Sequence, residues 1–317
     1  MSARVRQEVS NEKITFDGRV AVVTGAGGGL GQSYARELAR RGAKVVVNDL
    51  GGSVDGTGQG TNAADSVVTA ILADGGEAVA NYDSVSTPEG GEAIIAAALE
   101  TFGSVDIVIN NAGILRDRSF ANLGLEELSG VIETHLLGAF HVSLPAFRAM
   151  KEAQYGRFVF TSSNAGIFGN FGQSNYGAAK AGLVGLSNVI AIEGAKYGIL
   201  SNVIAPVART RMTEQLLGPM TELVSPEQVM PMVVYLCSEA NEFTHEIFTA
   251  GGGRYGRIFI GTNSGWFAGQ KRVPSVEEVA THLDEIRDIS SYEIPLSANE
   301  EIMIIGRHLS DGQNDLA

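Results

Sequence analysis

Tyr176 and Lys180 stand four residues apart in a helical stretch running from about 175 to 196, so both side chains leave one face of the same helix. A phenol ionises near pH 10, and holding it as tyrosinate at neutral pH costs about 4 kcal/mol. A nearby lysine ammonium returns a comparable amount at an effective dielectric of ~20. A tyrosine helped in this way can take an alcohol proton while a hydride leaves the carbinol carbon, or run the same step in reverse. Ser163 precedes the tyrosine by 13 residues and closes the strand-like run Phe158 to Ser162. Its hydroxyl is placed to hold the substrate oxygen opposite the tyrosine, because open α/β sheets bind ligands at the carboxyl ends of their strands. These three residues, Ser163, Tyr176 and Lys180, are the expected catalytic set.

Hydride chemistry needs an acceptor, and the first fifty residues are patterned to hold one. Val20-Ala21-Val22-Val23 is a continuous β-branched run, as a strand buried on both faces requires. Glycines follow at Gly25, Gly29 and Gly31, and Gln32 to Arg41 reads as a helix closed by Gly42. Strand, glycine turn and helix together aim backbone N–H groups at a pyrophosphate. Gly25 and Gly27 fit the G-x-G-x-x-G fingerprint, but Leu30 stands at its third glycine, so the spacing is T-G-x-x-x-G-x-G from Thr24 to Gly31. Asp49 lies 18 residues after Gly31, at the end of the second strand, where it can accept from the adenosine ribose hydroxyls. It would repel the extra phosphate of NADP by about 4 kcal/mol at ~4 Å, and half of that after screening is a preference of about thirtyfold for NAD. No Arg or Lys stands among Ala26, Gly27 and Gly28 to hold that phosphate. Asn111-Ala112-Gly113 ends the fourth strand with small residues that let a cofactor approach the backbone. Val207, in Pro206-Val207-Ala208, is placed for a backbone contact to the carboxamide, with Thr210 beside it.

Positioning such residues requires strands that all finish on one side. Strand-like runs fall near residues 20–24, 44–49, 78–81, 106–110, 157–162, 200–205 and 246–250. Helical runs fall near 30–41, 63–74, 89–102, 126–153, 175–196 and 226–238. The alternation predicts an α/β fold: a doubly wound parallel sheet of seven strands with a C-terminal helical extension. The expected division is an N-terminal extension over 1–16, a catalytic domain over 17–255 and an extension over 256–317. The glycine-rich stretch Gly51 to Asn62 is either a cofactor contact or a surface loop. Past Gly251-Gly252-Gly253 come Arg254, Arg257, Trp266, Lys271 and Arg272, then two short helices with capping-box signatures, Ser275 with Glu278 and Ser297 with Glu300. This extension is expected to pack on the sheet's C-terminal edge or on a second subunit, and either placement can also shape the substrate cleft. Its cations either receive the phosphates of a coenzyme A handle or are ordinary surface charge.

Of 317 residues, 44% are hydrophobic, enough for a large core, and no run is long enough to span a membrane. Met1 to Phe16 lacks the apolar core of a secretory signal. The single cysteine, Cys237, excludes an internal disulfide, fits a cytoplasmic protein and sits in an apolar helical stretch as a packed thiol. A net charge of −13 argues against nucleic acid. No cluster has metal-ligand spacing, so no metal is expected. The C-terminal Asn314-Asp315-Leu316-Ala317 is not a peroxisomal address.

Over roughly residues 17–255 these motifs resemble the short-chain dehydrogenase/reductase family. Longer words, GAKVVVNDLGG (Gly42–Gly52), AVANYDSV (Ala78–Val85), NNAGILRDRSF (Asn110–Phe120) and GNFGQSNYGAAK (Gly169–Lys180), narrow the likeness. They are similar to the (3R)-hydroxyacyl-CoA dehydrogenase units of peroxisomal multifunctional enzymes of type 2, also known as 17β-hydroxysteroid dehydrogenases of type 4. The resemblance implies a Rossmann-type homodimer that uses NAD to oxidise a (3R)-hydroxyacyl-CoA to the 3-ketoacyl-CoA. By position it assigns Leu30, Asp49, Ser84, Val85, Asn111, Tyr176 and Lys180 to NAD and Ser163 to the substrate; Asp83, next to Ser84, is also expected at the cofactor. The usual family asparagine of the proton relay is replaced by His135, which either anchors a relay water or is a satisfied buried histidine. The hydratase and sterol-carrier units of those enzymes are absent, which implies a free-standing bacterial enzyme served by a separate hydratase. The alternatives are a 17β-hydroxysteroid dehydrogenase acting on the free ring hydroxyl and a non-catalytic NAD-binding protein; the presence of both Tyr176 and Lys180 weighs against the latter. Asp49 weighs against a carrier-protein reductase using NADPH.

Overall fold

Runs such as Val45-Val46-Val47 and Ile107-Val108-Ile109 have no polar alternation and are fully buried, so both faces of their strands must be covered. The computed structural model describes residues 13–214, 218–270 and 272–314. Its centre is one sheet of eight strands in the order 3-2-1-4-5-6-7-8. These are β1 (Val20–Thr24), β2 (Lys44–Asn48), β3 (Glu77–Asn81), β4 (Ile107–Asn110), β5 (Gly156–Thr161), β6 (Ile199–Pro206), β7 (Ile247–Gly251) and β8 (Arg254–Ile258). The first seven pair in parallel, with Val20 opposite Lys44 and Gly156 opposite Ile199 setting the register at two of the pairings. The eighth was not expected. It follows β7 after only Gly252 and Gly253, at φ +57° and +77°, a connection so short that the chain must turn back on itself. Its sequence, RYGRI, is polar and partly exposed, as an edge strand is.

The helices are α1 (Gly29–Arg40), α2 (Asn62–Ala73), α3 (Pro88–Phe102), α4 (Leu125–Ile132), α5 (Gly138–Ala153), α6 (Asn164–Phe168), α7 (Ser174–Gly194) and α8 (Met230–Cys237). On one face α1 touches α2 and α8; on the other α3 touches α5, and α5 touches α7. Tyr34, Leu38, Val67, Ile71, Val233 and Leu236 fill the first layer against β1 and β2. Phe16 is 2% exposed and packs there too, so this core begins ahead of residue 17. Cys237 lies fully buried in it, and burial pushes its thiol pKa up, as expected of a packing residue. The single helix expected over 126–153 is broken: a π-helical turn, Glu133–Leu137, separates α4 from α5. Among the described residues, no helix is long and apolar enough to cross a membrane.

The chain divides into two compact units, one up to Arg257 and the other from Ile258 onward. Within the second, α9 (Val276–Thr281) and α10 (Leu283–Arg287) are separated by His282 alone, and α11 (Ala298–Asn314) follows after residues 288–297, where Glu293 bridges to Thr262. Ser275 and Glu278 form the capping box that their spacing predicts. At Ser297 the hydroxyl accepts from Glu300 N–H, but Glu300 reaches back to Leu296 N–H. Trp266 stacks on His282 with ring centroids 4.0 Å apart, and Phe259 stacks on Tyr292 at 5.2 Å.

Candidate active site

Strand order reverses between β1 and β4, and the carboxyl ends of the strands there open into a cleft of about 600 Å³, at the place where open α/β sheets bind ligands. One end of the cleft is made of glycine. A Cβ on Gly25, itself at φ +62°, would come within 2.8 Å of Ala112 Cα. On Gly31 it would meet Gly25 O at 2.3 Å, and on Gly27 it would meet the Asp49 carboxylate at 2.7 Å. Bare backbone is therefore required at all three. The Asp49 carboxylate accepts from Gly27 N–H and from Gly51 N–H, each at 2.8 Å. It is thereby held at the cleft wall, with acceptor capacity left for two hydroxyls. Asn111 donates from Nδ2 to the carbonyls of Thr24 and Gly25, at 3.0 and 3.1 Å, and so staples β4 to the glycine turn.

Fourteen of the residues expected at the site line this one cleft. Gly25, Gly29, Leu30 and Asp49 lie on the β1–β2 side, and Asp83, Ser84, Val85, Asn111, Ala112 and Gly113 along the middle. Ser163, Tyr176, Lys180 and Thr210 complete it. Two do not face it. Gly31 is buried beneath the turn, where it lets α1 approach β1. Val207 is tied by its N–H to Ala250 O at 2.8 Å, with its side chain against Gly251. The carboxylate of Asp83 is engaged by Asn81 Nδ2 at 2.7 Å, in a buried network with Asn48.

The other end of the cleft is built from buried side chains. Ser163 caps α6 by accepting from Ala165 N–H at 3.2 Å, which leaves its own O–H to donate. Lys180 is 3% exposed; its Nζ donates to Thr161 O at 2.6 Å and lies 5.5 Å from the centroid of the Tyr176 ring. Burial lowers the Lys180 ammonium from its usual 10.5 to about 7. Burial raises the Tyr176 phenol to about 12, with the Ser163 hydroxyl pulling it down and Asp117 adding to the rise. Desolvation thus outweighs the help expected from the lysine charge. Removing one proton from this pair leaves either an amine beside a phenol or an ammonium beside a phenolate, and these differ only in which group holds the proton. Burial thus brings the lysine's proton loss toward neutral pH and carries the tyrosine's away from it.

His135 is 3% exposed within the π-helical turn, and its ring meets Tyr176 edge-on at 5.2 Å. Its Nε2 lies 3.0 Å from Ile114 N and 2.8 Å from Ile114 O, and it can serve only one at a time. Among the described residues Nδ1 has no partner. Burial and the charge of Lys180 push the ring well below its usual pKa, so it is neutral. It is neither a fully satisfied core histidine nor an acid at physiological pH.

Several lining residues carried no signal in the sequence. Gln173 is held by donating to Asp117 at 2.8 Å and by accepting from Asn170. The loop after β2 folds over the cleft rather than away from it: Leu115 N–H donates to Val54 O, and Arg116 Nε donates to Asp55 O at 2.8 Å. Ser53 and Thr57 clamp Asp55 and hold its carboxyl at about 2. The sequence leaves this stretch open between a cofactor contact and a surface loop. Of the cations past β7, Arg257 pairs with Glu246 and Arg272 with Glu278, while Lys271 lies outside the described residues.

A family model described as short chain dehydrogenase matches residues 19–218. A short-chain type dehydrogenase/reductase of Mycobacterium tuberculosis is 51% identical over 277 residues, 87% of this chain and 96% of that one. A hydroxyacyl-CoA dehydrogenase of the same organism is 39% identical over 240 residues, covering 71% of this chain and 74% of its own. The solved full-length peroxisomal multifunctional enzyme type 2 of Drosophila melanogaster superposes with a TM-score of 0.79 at 37% identity. That match covers 94% of this chain and 50% of the fly enzyme, so the chain spans half of that relative's length.

Proposed function

The chain belongs to the short-chain dehydrogenase family, and from that premise we propose that it oxidises a (3R)-hydroxyacyl-CoA to the 3-ketoacyl-CoA with NAD as acceptor. The observation that carries this reading is the convergence of Ser163, Tyr176 and Lys180 in one cleft with the glycine turn and Asp49. The cradle fits a dinucleotide: bare backbone at Gly25, Gly28 and Gly29 lines it, and Asp49 stands ready for hydroxyls but not for a phosphate. Gly25, Gly29, Leu30, Asp83, Ser84, Val85, Asn111, Ala112, Gly113 and Thr210 would hold NAD. When bound, the nicotinamide takes up the hydride lost from the carbinol carbon.

In this reading Ser163 donates its hydroxyl hydrogen to the substrate oxygen and orients it. Tyr176 takes the alcohol proton at its phenolic oxygen, and Lys180 compensates the charge that forms there. The edge contact of neutral His135 holds the phenol ring in place. The likeness to a hydroxyacyl-CoA dehydrogenase supports the thioester substrate, with a separate hydratase supplying the hydroxyl. A homodimer belongs to the same proposal: α5 and α7 leave Phe140, Leu144, Val189 and Ile192 about half exposed, an apolar surface of the kind a second copy covers.

The test is NADH formation by the purified protein, with kcat/KM compared between a (3R)-hydroxyacyl-CoA and a free 17β-hydroxysteroid. A preference for the CoA ester of tenfold or more is expected. A preference for the steroid overturns the substrate assignment, and the absence of NADH with either overturns the reaction.

A further inference from the structure

Beside the glycine turn lies a cation that the motifs do not account for. Arg211 lines the cleft, and its Nη2 is the one atom within 4 Å of where a Cβ on Gly28 would stand, at 3.9 Å. Among the described residues it forms no salt bridge. Its neighbour Thr210 packs on the same turn, with Cγ2 3.3 Å from where a Cβ on Gly29 would be. The segment is held there by its own hydrogen bonds: Thr213 Oγ1 donates to Ala208 O at 2.6 Å and accepts from Thr210 N–H at 2.9 Å. Opposite the arginine, α1 begins after Gly28, which offers it no side-chain cap, and has no acidic residue in its first turn. Its free N–H groups and the guanidinium face one gap, and both sides of that gap are electropositive.

We propose that Arg211 is a further cofactor-binding residue that clamps the diphosphate of the dinucleotide against the glycine turn. The inference rests on the dinucleotide reading above. A guanidinium suits this task, because its planar fork can bond two phosphate oxygens at once. Coenzyme A also carries a diphosphate, but the position beside Gly28 and Gly29 assigns the arginine to the cofactor. Asp49 stands at the ribose end of the same cleft, so the chain sets a cation where two phosphates lie and an anion where a third would be. That pairing favours NAD over NADP without weakening the grip on the shared diphosphate.

The experiment is calorimetric titration of the whole chain and of Arg211→Gln and Arg211→Lys with ADP-ribose, adenosine and coenzyme A, at low and high salt. A lost charge-assisted contact of this kind corresponds to about tenfold or more in affinity. Arg211→Gln should therefore weaken ADP-ribose by about tenfold at low salt, flatten its salt dependence and leave adenosine within twofold; Arg211→Lys should recover part of the loss. Unchanged ADP-ribose binding, or an equal loss for adenosine, overturns the clamp while the dinucleotide reading stands. A loss confined to coenzyme A reassigns the cation to the acyl carrier and overturns it as well. Failure of the parent chain to bind ADP-ribose overturns both.

Discussion

At the β1 end of the cleft the working surface is backbone, and at the β5 end it is buried side chain. Gly25 and Gly27 act by what they lack, since a Cβ there would strike backbone or the Asp49 carboxylate, and Gly31 supports them from beneath the turn in the same way. Tyr176, Lys180 and His135 act by being removed from water: burial raises the phenol, lowers the ammonium and keeps the imidazole neutral. The first end keeps its shape because no side chain fits at its glycines. The second is reactive because charge is costly there. A ligand that spans the cleft meets a preformed mould at one end and an unfinished proton balance at the other, so the two ends should fail differently when changed.

The sharpest separation comes from Tyr176→Phe, which removes the only group assigned to take the proton. Turnover should fall by about a thousandfold or more, while ADP-ribose affinity stays within twofold; parallel kinetics and calorimetry check this, and surviving turnover breaks the assignment. Lys180→Met comes next. In the parent, kcat/KM should rise with pH through an apparent pKa near 7, and in the variant the rise should move above 10, with a loss of about five-hundredfold or more at pH 7. The same residue gives a stability signature. A lysine whose pKa is lowered on folding binds fewer protons in the native chain than in the unfolded chain between about 7 and 10.5. Stability should therefore climb with pH across that window, by about 1.4 kcal/mol per unit, and urea unfolding of Lys180→Met should lose the slope.

At the glycine end, Asp49→Ser should cut the NAD-over-NADP ratio of kcat/KM by about thirtyfold with little change in the pH profile. Gly31→Ala should lower unfolding stability by about 1–3 kcal/mol and weaken ADP-ribose without moving that profile, a contrast that fails if the two ends are coupled. The smallest effect is expected outside the cleft. Arg257→Ala removes an exposed partner of Glu246, and the KM for a hydroxyacyl-CoA should change less than twofold; a large rise would make the cations past β7 part of a coenzyme A handle after all.

Much of the sheet was legible because its strands are continuous β-branched runs between glycines. The run near 20–24 corresponds to β1 at Val20–Thr24, and that near 44–49 to β2 at Lys44–Asn48. Strand β8 was not, because Arg254-Tyr255-Gly256-Arg257 reads as polar surface until an edge is there to receive it. The π-helical turn at Glu133–Leu137 was hidden too: its apolar spacing continues that of the flanking helices, and only the packing of His135 against Ile114 reveals the extra residue. Within the site, local motifs located the glycines, Asp49, Ser163, Tyr176 and Lys180. Arg211, Gln173 and the folded loop at Gly52–Gly56 depend on contacts between segments far apart in the chain, and no local pattern encodes those. Gly31 and Val207 belong to the motifs yet turn away from the cleft, since a motif records what a turn needs to form as well as what it touches.

The close fit between Gly113 and His135 constrains how this chain can change over generations. A Cβ at 113 would sit 2.2 Å from His135 Cε1, so no larger residue is admissible there while the imidazole remains. A lineage leaving this arrangement must first shrink or reorient residue 135 and only then enlarge residue 113. The reverse order passes through an intermediate in which the two side chains collide, so the order of the two changes is fixed in each direction.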